Sequence, residues 1–280
     1  TGGGEPSLWR EDKKKIYDLI MEIRKYMGKI PLGIMSNGTF LMPNEAIEQL
    51  KWLRISVNSF DKDQYKVVHK MDMFDRVLKN ILEYAKMELP ELGIGFVYTK
   101  RTARDLINVI KIINDRILCN LSEDNLKKIN VQFRPEADPK TYSRHFLDEK
   151  LIEELNSQIK NLSEFEINFI NEKTNMYEVL NNSVFSLKNF NNCHVSLLQL
   201  KIDAKGDVYP CAQTANNSTD SYGNLFSFNF FSNFKKAVKN SYTKHPSKIC
   251  ENCAQSSINH LYENKDKTNH ENNDDQNPFF

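Results

Sequence analysis

Leu53-Arg54-Ile55-Ser56-Val57 and Leu92-Gly93-Ile94-Gly95-Phe96-Val97-Tyr98, with the stretch at about 73–87 between them, decide the fold. Both short runs read as strands. Between them, Phe74, Val77, Leu78, Ile81 and Leu82 recur at the spacing of one helix face. Strand, helix and strand in that order make a βαβ unit, and a βαβ unit makes a parallel pair.

The same alternation extends outward. Upstream, Ile30 to Met35 reads as extended and is closed by the turn Ser36-Asn37-Gly38. Residues 44–51 read as a short helix. The stretch 7–28, with Leu8, Ile16, Leu19, Ile20 and Ile23, reads as one long helix. Downstream, a helix over about 102–117 carries Leu106, Ile107, Val109, Ile110 and Ile113. Ile129 to Phe133 then reads as a strand running into Arg134-Pro135-Glu136. About five strand–helix steps are too few for an eight-stranded barrel. They suit a partial barrel or an open doubly wound sheet.

The pattern changes after about residue 145. A polar helix is predicted over 148–162, a strand over Phe165 to Ile170, and an Asn-rich loop over 171–192. Val195 to Ile202 reads as extended. Lys205-Gly206-Asp207 supplies a turn, and Val208-Tyr209-Pro210-Cys211 begins a return arm. The expected divisions are a β/α region (1–145), a connecting region (146–192), a cysteine-rich lobe (193–262) and a tail (263–280). The tail is too polar to bury a core and is expected to be disordered.

The 280 residues are 40% hydrophobic, enough for a sizeable core, and carry a formal net charge of +1. That balance points neither to nucleic acid nor to a membrane surface. No apolar run approaches the ~20 residues of a membrane span, and no signal-peptide pattern is present. The chain has 5 cysteines. An odd count with a Cys-x-x-Cys pair fits a metal site better than a disulfide framework. Thiolate ligands point to a reducing, cytoplasmic compartment. Cys119, in an apolar stretch, is expected to be a small buried hydrophobe.

Cys193, Cys211, Cys250 and Cys253 supply four thiolates. Folding the hairpin would bring Cys193 toward Cys211, and Cys250-x-x-Cys253 is a close bite. Four thiolates satisfy a [4Fe–4S] cluster and a closed tetrahedral zinc site alike, and spacing alone leaves both open. At the other end, Gly2-Gly3-Gly4-Glu5-Pro6 precedes a helix. Such a glycine run lets a ligand approach the backbone closely, and Glu5 adds a carboxylate suited to an ammonium group.

Taken in order, these segments resemble the radical S-adenosylmethionine (SAM) superfamily. Gly-Gly-Glu-Pro resembles its second-strand motif, and Met35-Ser36-Asn37-Gly38 the end of its third strand. Leu53 to Ser59 resembles its fourth strand, followed by the Asp61-x-x-x-Tyr65-x-x-x-His69-Lys70 pattern. Gly93 to Val97 and Val131 to Arg134 resemble the fifth and sixth. Asn58 stands where relatives often carry Asp. Gly206-x-x-x-x-Cys211, Tyr222-Gly223-Asn224-Leu225 and the cysteine set resemble the auxiliary-cluster lobes called SPASM and Twitch. The shorter, one-cluster Twitch pattern fits better, since no cysteine follows Cys253.

The resemblance implies an α/β fold: a partial (β/α)6 TIM-like barrel without its first strand, plus a small cysteine-rich β-hairpin lobe. It implies SAM held by Gly3, Gly4, Glu5, Ser36, Asn37, Ser56, Asn58, Gly95 and Arg134. It favours an auxiliary [4Fe–4S] cluster on Cys193, Cys211, Cys250 and Cys253. The family's SAM-binding [4Fe–4S] cluster needs a Cys-x-x-x-Cys-x-x-Cys loop, which these residues do not contain. It would lie upstream of Gly2, so the chain reads as a fragment that does not cleave SAM alone. The implied partners are an electron donor and a substrate peptide, protein or small molecule, with no nucleic acid and no membrane. No catalytic acid or base is singled out, and His69 reads as a helix-end or surface histidine. Two other readings are a non-catalytic zinc or iron–sulfur relative, or partner subunit, of this fold, and an ordinary β/α enzyme with a zinc lobe. The latter lacks a Gly-x-Gly-x-x-Gly or phosphate-loop motif.

Overall fold

The computed structural model describes residues 4–136, 147–182, 186–187, 190, 192–212, 214–215, 221–243, 252–253, 255–256 and 258–263. The chain divides into two compact units. One holds Gly4 to Glu136 with the helices between 147 and 182, and the other holds the described residues from 186 onward.

The first unit opens with a single 3-10 turn, Pro6–Leu8. A small hairpin follows, β1 (Arg10–Glu11) with β2 (Lys14–Lys15), and then α1 (Ile16–Met27). The one long helix expected over 7–28 is therefore interrupted. Asp12 takes a left-handed conformation, φ 55°, at the hairpin tip, which a continuous helix cannot accommodate.

The remaining elements alternate as β3 (Gly33–Ser36), α2 (Asn44–Ile47), β4 (Trp52–Ser56), α3 (Lys62–His69) and α4 (Phe74–Lys86). Next come β5 (Leu92–Tyr98), α5 (Leu106–Arg116), α6 (Glu123–Lys127) and β6 (Ile129–Pro135). Strands β3-β4-β5-β6 form a parallel sheet of four, in sequence order. About five strands were expected; the Gly4-Glu5 segment joins no strand and runs into the 3-10 turn instead. Because the strand order never reverses, right-handed crossovers put the connecting helices on one face.

That face is the core. Leu53 and Ile55 of β4, Leu92, Ile94 and Phe96 of β5, and Val131 and Phe133 of β6 are buried. Phe74, Val77, Leu78, Ile81 and Ala85 of α4 and Leu106, Ile107, Val109, Ile110 and Ile113 of α5 are also buried. The helix period read from these residues is the period that packs.

Three further helices complete the unit: α7 (Glu149–Ile159), α8 (Glu164–Lys173) and α9 (Met176–Leu180). Phe165 to Ile170 is thus helical, not a strand. A capping box sets the start of α8: Ser163 Oγ accepts the Glu166 N–H at 3.3 Å, and the Ser163 N–H donates to Glu166 Oε2 at 2.9 Å. The start of the Asn-rich loop predicted over 171–192 is likewise occupied by the end of α8 and by α9. The Asn175 side chain then pairs with the outer edge of β6. Its Oδ1 accepts the Phe133 N–H at 2.8 Å, and its Nδ2 donates to the Phe133 carbonyl at 2.9 Å.

Cys119 also departs from expectation. It lies in the 3-10 turn Leu118–Asn120 and is exposed. The buried residue there is Leu118.

The second unit contains β7 (Ser186–Leu187), α10 (Val195–Leu198), β8 (Lys201–Ile202), β9 (Asp207–Tyr209), β10 (Gly223–Asn224), α11 (Phe230–Thr243) and β11 (Asn252–Cys253). The extended run expected over Val195 to Ile202 therefore begins as a helical turn and becomes a strand only at Lys201. Strands β8, β9 and β10 form an antiparallel sheet in the order β10-β9-β8, and β7 pairs with β11. The turn between β8 and β9 is the expected one. Asp203 Oδ1 accepts the N–H groups of Lys205 (2.8 Å) and Asp207 (3.0 Å). Gly206 has φ 86°, and a Cβ there would meet the Phe226 ring at 2.5 Å. Val208, Tyr222 and Phe230 form the lobe's small core, with Phe234, Ala237 and Val238 of α11 packed against it. Among the described residues no helix is long and apolar enough to cross a membrane.

Candidate functional site

The face of the sheet opposite the helices is polar. Alternation along β4 and β6 turns Arg54 and Ser56, and Asn130, Gln132 and Arg134, away from the buried residues. Strand register pairs Ser56 with Gly95 and Gly95 with Gln132, and Val97 with Arg134. Ser56, Gly95 and Arg134 thus share one face toward the strands' C-terminal ends, where α/β folds gather their ligands.

At the same ends the structure joins residues far apart in sequence. Glu5 Oε1 accepts from Ser7 N–H (3.0 Å), Ser7 Oγ (2.6 Å) and Ser36 Oγ (2.8 Å). Glu5 Oε2 accepts the Asn37 N–H at 2.6 Å. Each carboxylate oxygen has two lone pairs, so Oε2 retains capacity for one more donor, such as an ammonium group. Gly4 adjoins this carboxylate; Gly3 lies outside the described residues.

The loop that carries Asn37 is held from α4. Asn80 Nδ2 donates to the Gly38 carbonyl at 2.7 Å. The Tyr84 hydroxyl donates to the Phe40 carbonyl and accepts the Met42 N–H, each at 2.9 Å. Burial raises the Tyr84 hydroxyl to about 12, with the Met42 N–H opposing and the Glu5 charge adding. Gly38 has φ 74°, and a Cβ there would stand 2.6 Å from Ile55 Cγ2. No side chain fits at that turn.

Asn58 and His69 serve the backbone. Asn58, at φ 55°, accepts the Val97 N–H on Oδ1 at 3.2 Å and extends the β4–β5 ladder past its last pair. His69, the last residue of α3, lies 2.8 Å by Nε2 from the Val57 carbonyl. A carbonyl only accepts, so Nε2 is the donor.

Arg54 was missed by sequence reasoning. Its side chain crosses Gly93 and Gly95: a Cβ at Gly93 would lie 3.3 Å from Arg54 Nε, and one at Gly95 3.5 Å from Arg54 Cδ. The glycines make room for a guanidinium. Its Nε is buried without a hydrogen-bond partner, as are Gln132 Oε1 and the Tyr65 hydroxyl. Burial lowers the Arg54 pKa, with Glu91 opposing. Burial first, then the charge of Glu5, raises that of Tyr65. The polar–apolar alternation of Trp52 to Ser56 beside two glycines was the available signal. Buried polar atoms without partners are donors and acceptors that a polar ligand could satisfy.

No family model matches the chain. It is 30% identical over 117 residues to the probable GTP 3′,8-cyclase of Sulfurisphaera tokodaii, covering 39% of this chain and 34% of that protein. It is 33% identical over 91 residues to the probable GTP 3′,8-cyclase of Pyrococcus abyssi, covering 31% of this chain and 28% of that protein. The chain thus spans about a third of the length of these curated relatives. In fold it is similar to Streptococcus suis SuiB bound to precursor peptide SuiA, with a TM-score of 0.50 at 15% identity over 83% of this chain and 52% of that one. These likenesses agree with the resemblance to the radical SAM superfamily carried by the motifs. The polar sheet face and the Glu5 cluster together make the first candidate site.

The lobe carries the second candidate. Cys193 lies just before α10, Cys211 just after β9, and Cys253 on β11. Cys250 lies outside the described residues. Burial pushes the Cys193 thiol up to about 11, hydrogen bonds from Ser196 oppose this, and the neighbouring Cys211 and Cys253 add to it. Three segments thus bring their thiols within electrostatic reach. Among the described residues no three His, Cys, Asp or Glu side chains are gathered closely enough to hold a metal ion. An all-thiol donor set in a site that resists ionisation suits a soft or borderline cation, whose charge reverses that resistance.

Proposed function

We propose that this polypeptide is the SAM-binding and auxiliary-cluster portion of a radical SAM enzyme acting on a peptide or protein. The observation that carries the reading is the convergence of Glu5 with Ser36 and Asn37. It joins two motifs of the family resemblance at the C-terminal end of a parallel sheet. In this reading Gly3, Gly4 and Glu5 hold the SAM amino group. Ser36, Asn37, Ser56, Gly95 and Arg134 line the rest of the molecule, while Asn58 shapes the strand end beside it.

When bound to a [4Fe–4S] cluster, SAM supplies a 5′-deoxyadenosyl radical by reductive cleavage; this chemistry belongs to the cofactors. The protein's own part is to orient and to exclude water. Arg54, Gln132 and Arg134 present hydrogen-bonding groups on the sheet face. In the lobe, Cys193, Cys211, Cys250 and Cys253 fit a fully ligated auxiliary [4Fe–4S] cluster suited to electron transfer. An external donor supplies the electrons. The fold likeness to SuiB bound to a precursor peptide favours a peptide over a small molecule.

The test is to express the open reading frame with the codons preceding Thr1, reconstitute it anaerobically, and measure 5′-deoxyadenosine with SAM and a reductant. Product formation that falls sharply in Glu5→Ala is expected. A frame without the cysteine triplet, and no product, would overturn it. That outcome favours a second reading, supported by the absence of Cys-x-x-x-Cys-x-x-Cys from these 280 residues: a non-catalytic zinc or iron–sulfur relative, or a partner subunit.

A further inference from the structure

We infer that Asn259 is a positioning residue that sets the geometry and the reduction potential of the lobe's thiolate site. This rests on the auxiliary-cluster reading above. Asn259 is 0% exposed and lies in the helical stretch 258–263. Its Oδ1 accepts the Val195 N–H at 3.0 Å, and its Nδ2 donates to Cys253 Sγ at 3.7 Å. The amide has one possible orientation. A backbone N–H can only donate, so it must face Oδ1, and this turns Nδ2 toward the sulfur.

Val195 opens α10 and stands two positions after Cys193. One buried side chain therefore couples the Cys193 segment to Cys253. The segment is pinned from other sides as well. The Cys193 N–H donates to the Tyr242 carbonyl at 3.2 Å. The Cys193 carbonyl accepts from Ser196 N–H at 3.1 Å and from Ser196 Oγ at 2.6 Å. The Tyr222 hydroxyl donates to the Ser196 carbonyl at 3.1 Å. Those bonds fix Cys193 against the hairpin and α11; Asn259 adds a side-chain bond to the Cys253 sulfur, as the Thr214 hydroxyl, 3.7 Å from Cys211 Sγ, does for Cys211.

A thiol is a weak acceptor, whereas a metal-bound thiolate carries charge and makes the same contact a charge-assisted bond. Reduction adds negative charge to an iron–sulfur cluster. A donor aimed at a ligand sulfur stabilises the reduced form and raises the potential.

The test uses this 280-residue chain loaded anaerobically with iron and sulfide. It contains no other cluster motif, so the electron paramagnetic resonance signal reports the lobe. Asn259→Asp keeps the acceptor for Val195 and replaces the donor with a negative oxygen; Asn259→Leu removes both bonds. Asn259→Asp should retain its iron with a midpoint shifted to more negative potential, and Asn259→Leu should lose iron. A loaded wild type with an unmoved Asn259→Asp midpoint overturns the Asn259 assignment alone. A wild type that takes up no iron and sulfide, or Cys253→Ala that keeps both in full, overturns the cluster reading and this inference together.

Discussion

Glu5 and Ser36, 31 positions apart, share a 2.8 Å hydrogen bond between carboxylate and hydroxyl. The same carboxylate takes the Asn37 N–H at 2.6 Å and the Ser7 N–H at 3.0 Å. A single acidic side chain thus fastens the segment before α1 to the end of β3.

Glu5→Ala should cost about 2–3 kcal/mol of unfolding free energy, because it strands charge-assisted donors. Urea titration measures this. A loss below about 0.5 kcal/mol would mean that the segment is held by something other than Glu5.

Tyr84 carries a pH dependence. Its folded pKa, about 12, lies above its ordinary 10.0. The folded state therefore holds the proton more tightly, and the associated stability is complete below pH 10 and lost as pH rises through 12. Tyr84→Phe should weaken the fold by about 1–3 kcal/mol at neutral pH, since it strands the Met42 N–H. Its loss of stability between pH 10 and 12 should be shallower than that of the wild type. Parallel slopes would place the titration elsewhere.

Arg54 supplies the opposite expectation. Its guanidinium is partly desolvated and its Nε has no partner. Arg54→Met should leave stability within about 1 kcal/mol of wild type or raise it. Thermal unfolding checks the sign. A large loss would show that the arginine holds the sheet together rather than serving a ligand.

If the proposed auxiliary-cluster function holds, Cys211→Ala in the full-length protein should abolish substrate turnover while SAM cleavage to 5′-deoxyadenosine continues. Persistent turnover would overturn the proposed role of an auxiliary cluster in the reaction.

The parallel sheet was legible because its central strand is a continuous apolar run and its helices carry a clean face. Leu92 to Tyr98 and the α4 residues were read as they fold. Phe165-Glu166-Ile167-Asn168-Phe169 alternates with the period of a strand, yet Ser163 and Glu166 at capping-box spacing start a helix. In this segment the cap outweighs the period. The break at Asp12 depends on one left-handed residue, which a run of Lys, Asp and Glu does not announce. Cys119 follows Leu118 in a turn where only one of the two can face inward.

The site was legible in part. Glu5, Ser36 and Asn37 were named from motifs, and the fold brings them together. Arg54 and Asn259 were not named, because their roles depend on neighbours distant in sequence: two glycines on the next strand, and a backbone N–H 64 positions away.

The amide of Asn175 has a consequence for growth of the sheet. It occupies both the N–H and the carbonyl of Phe133, as a neighbouring strand would. With the Val131–Thr174 bridge beside it, Asn175 hinders strand addition at Phe133 on the β6 border, which leaves β3, beside Ser36, as the other edge of the described sheet. A strand added at the β3 edge would extend the sheet from the side where Glu5 is bound.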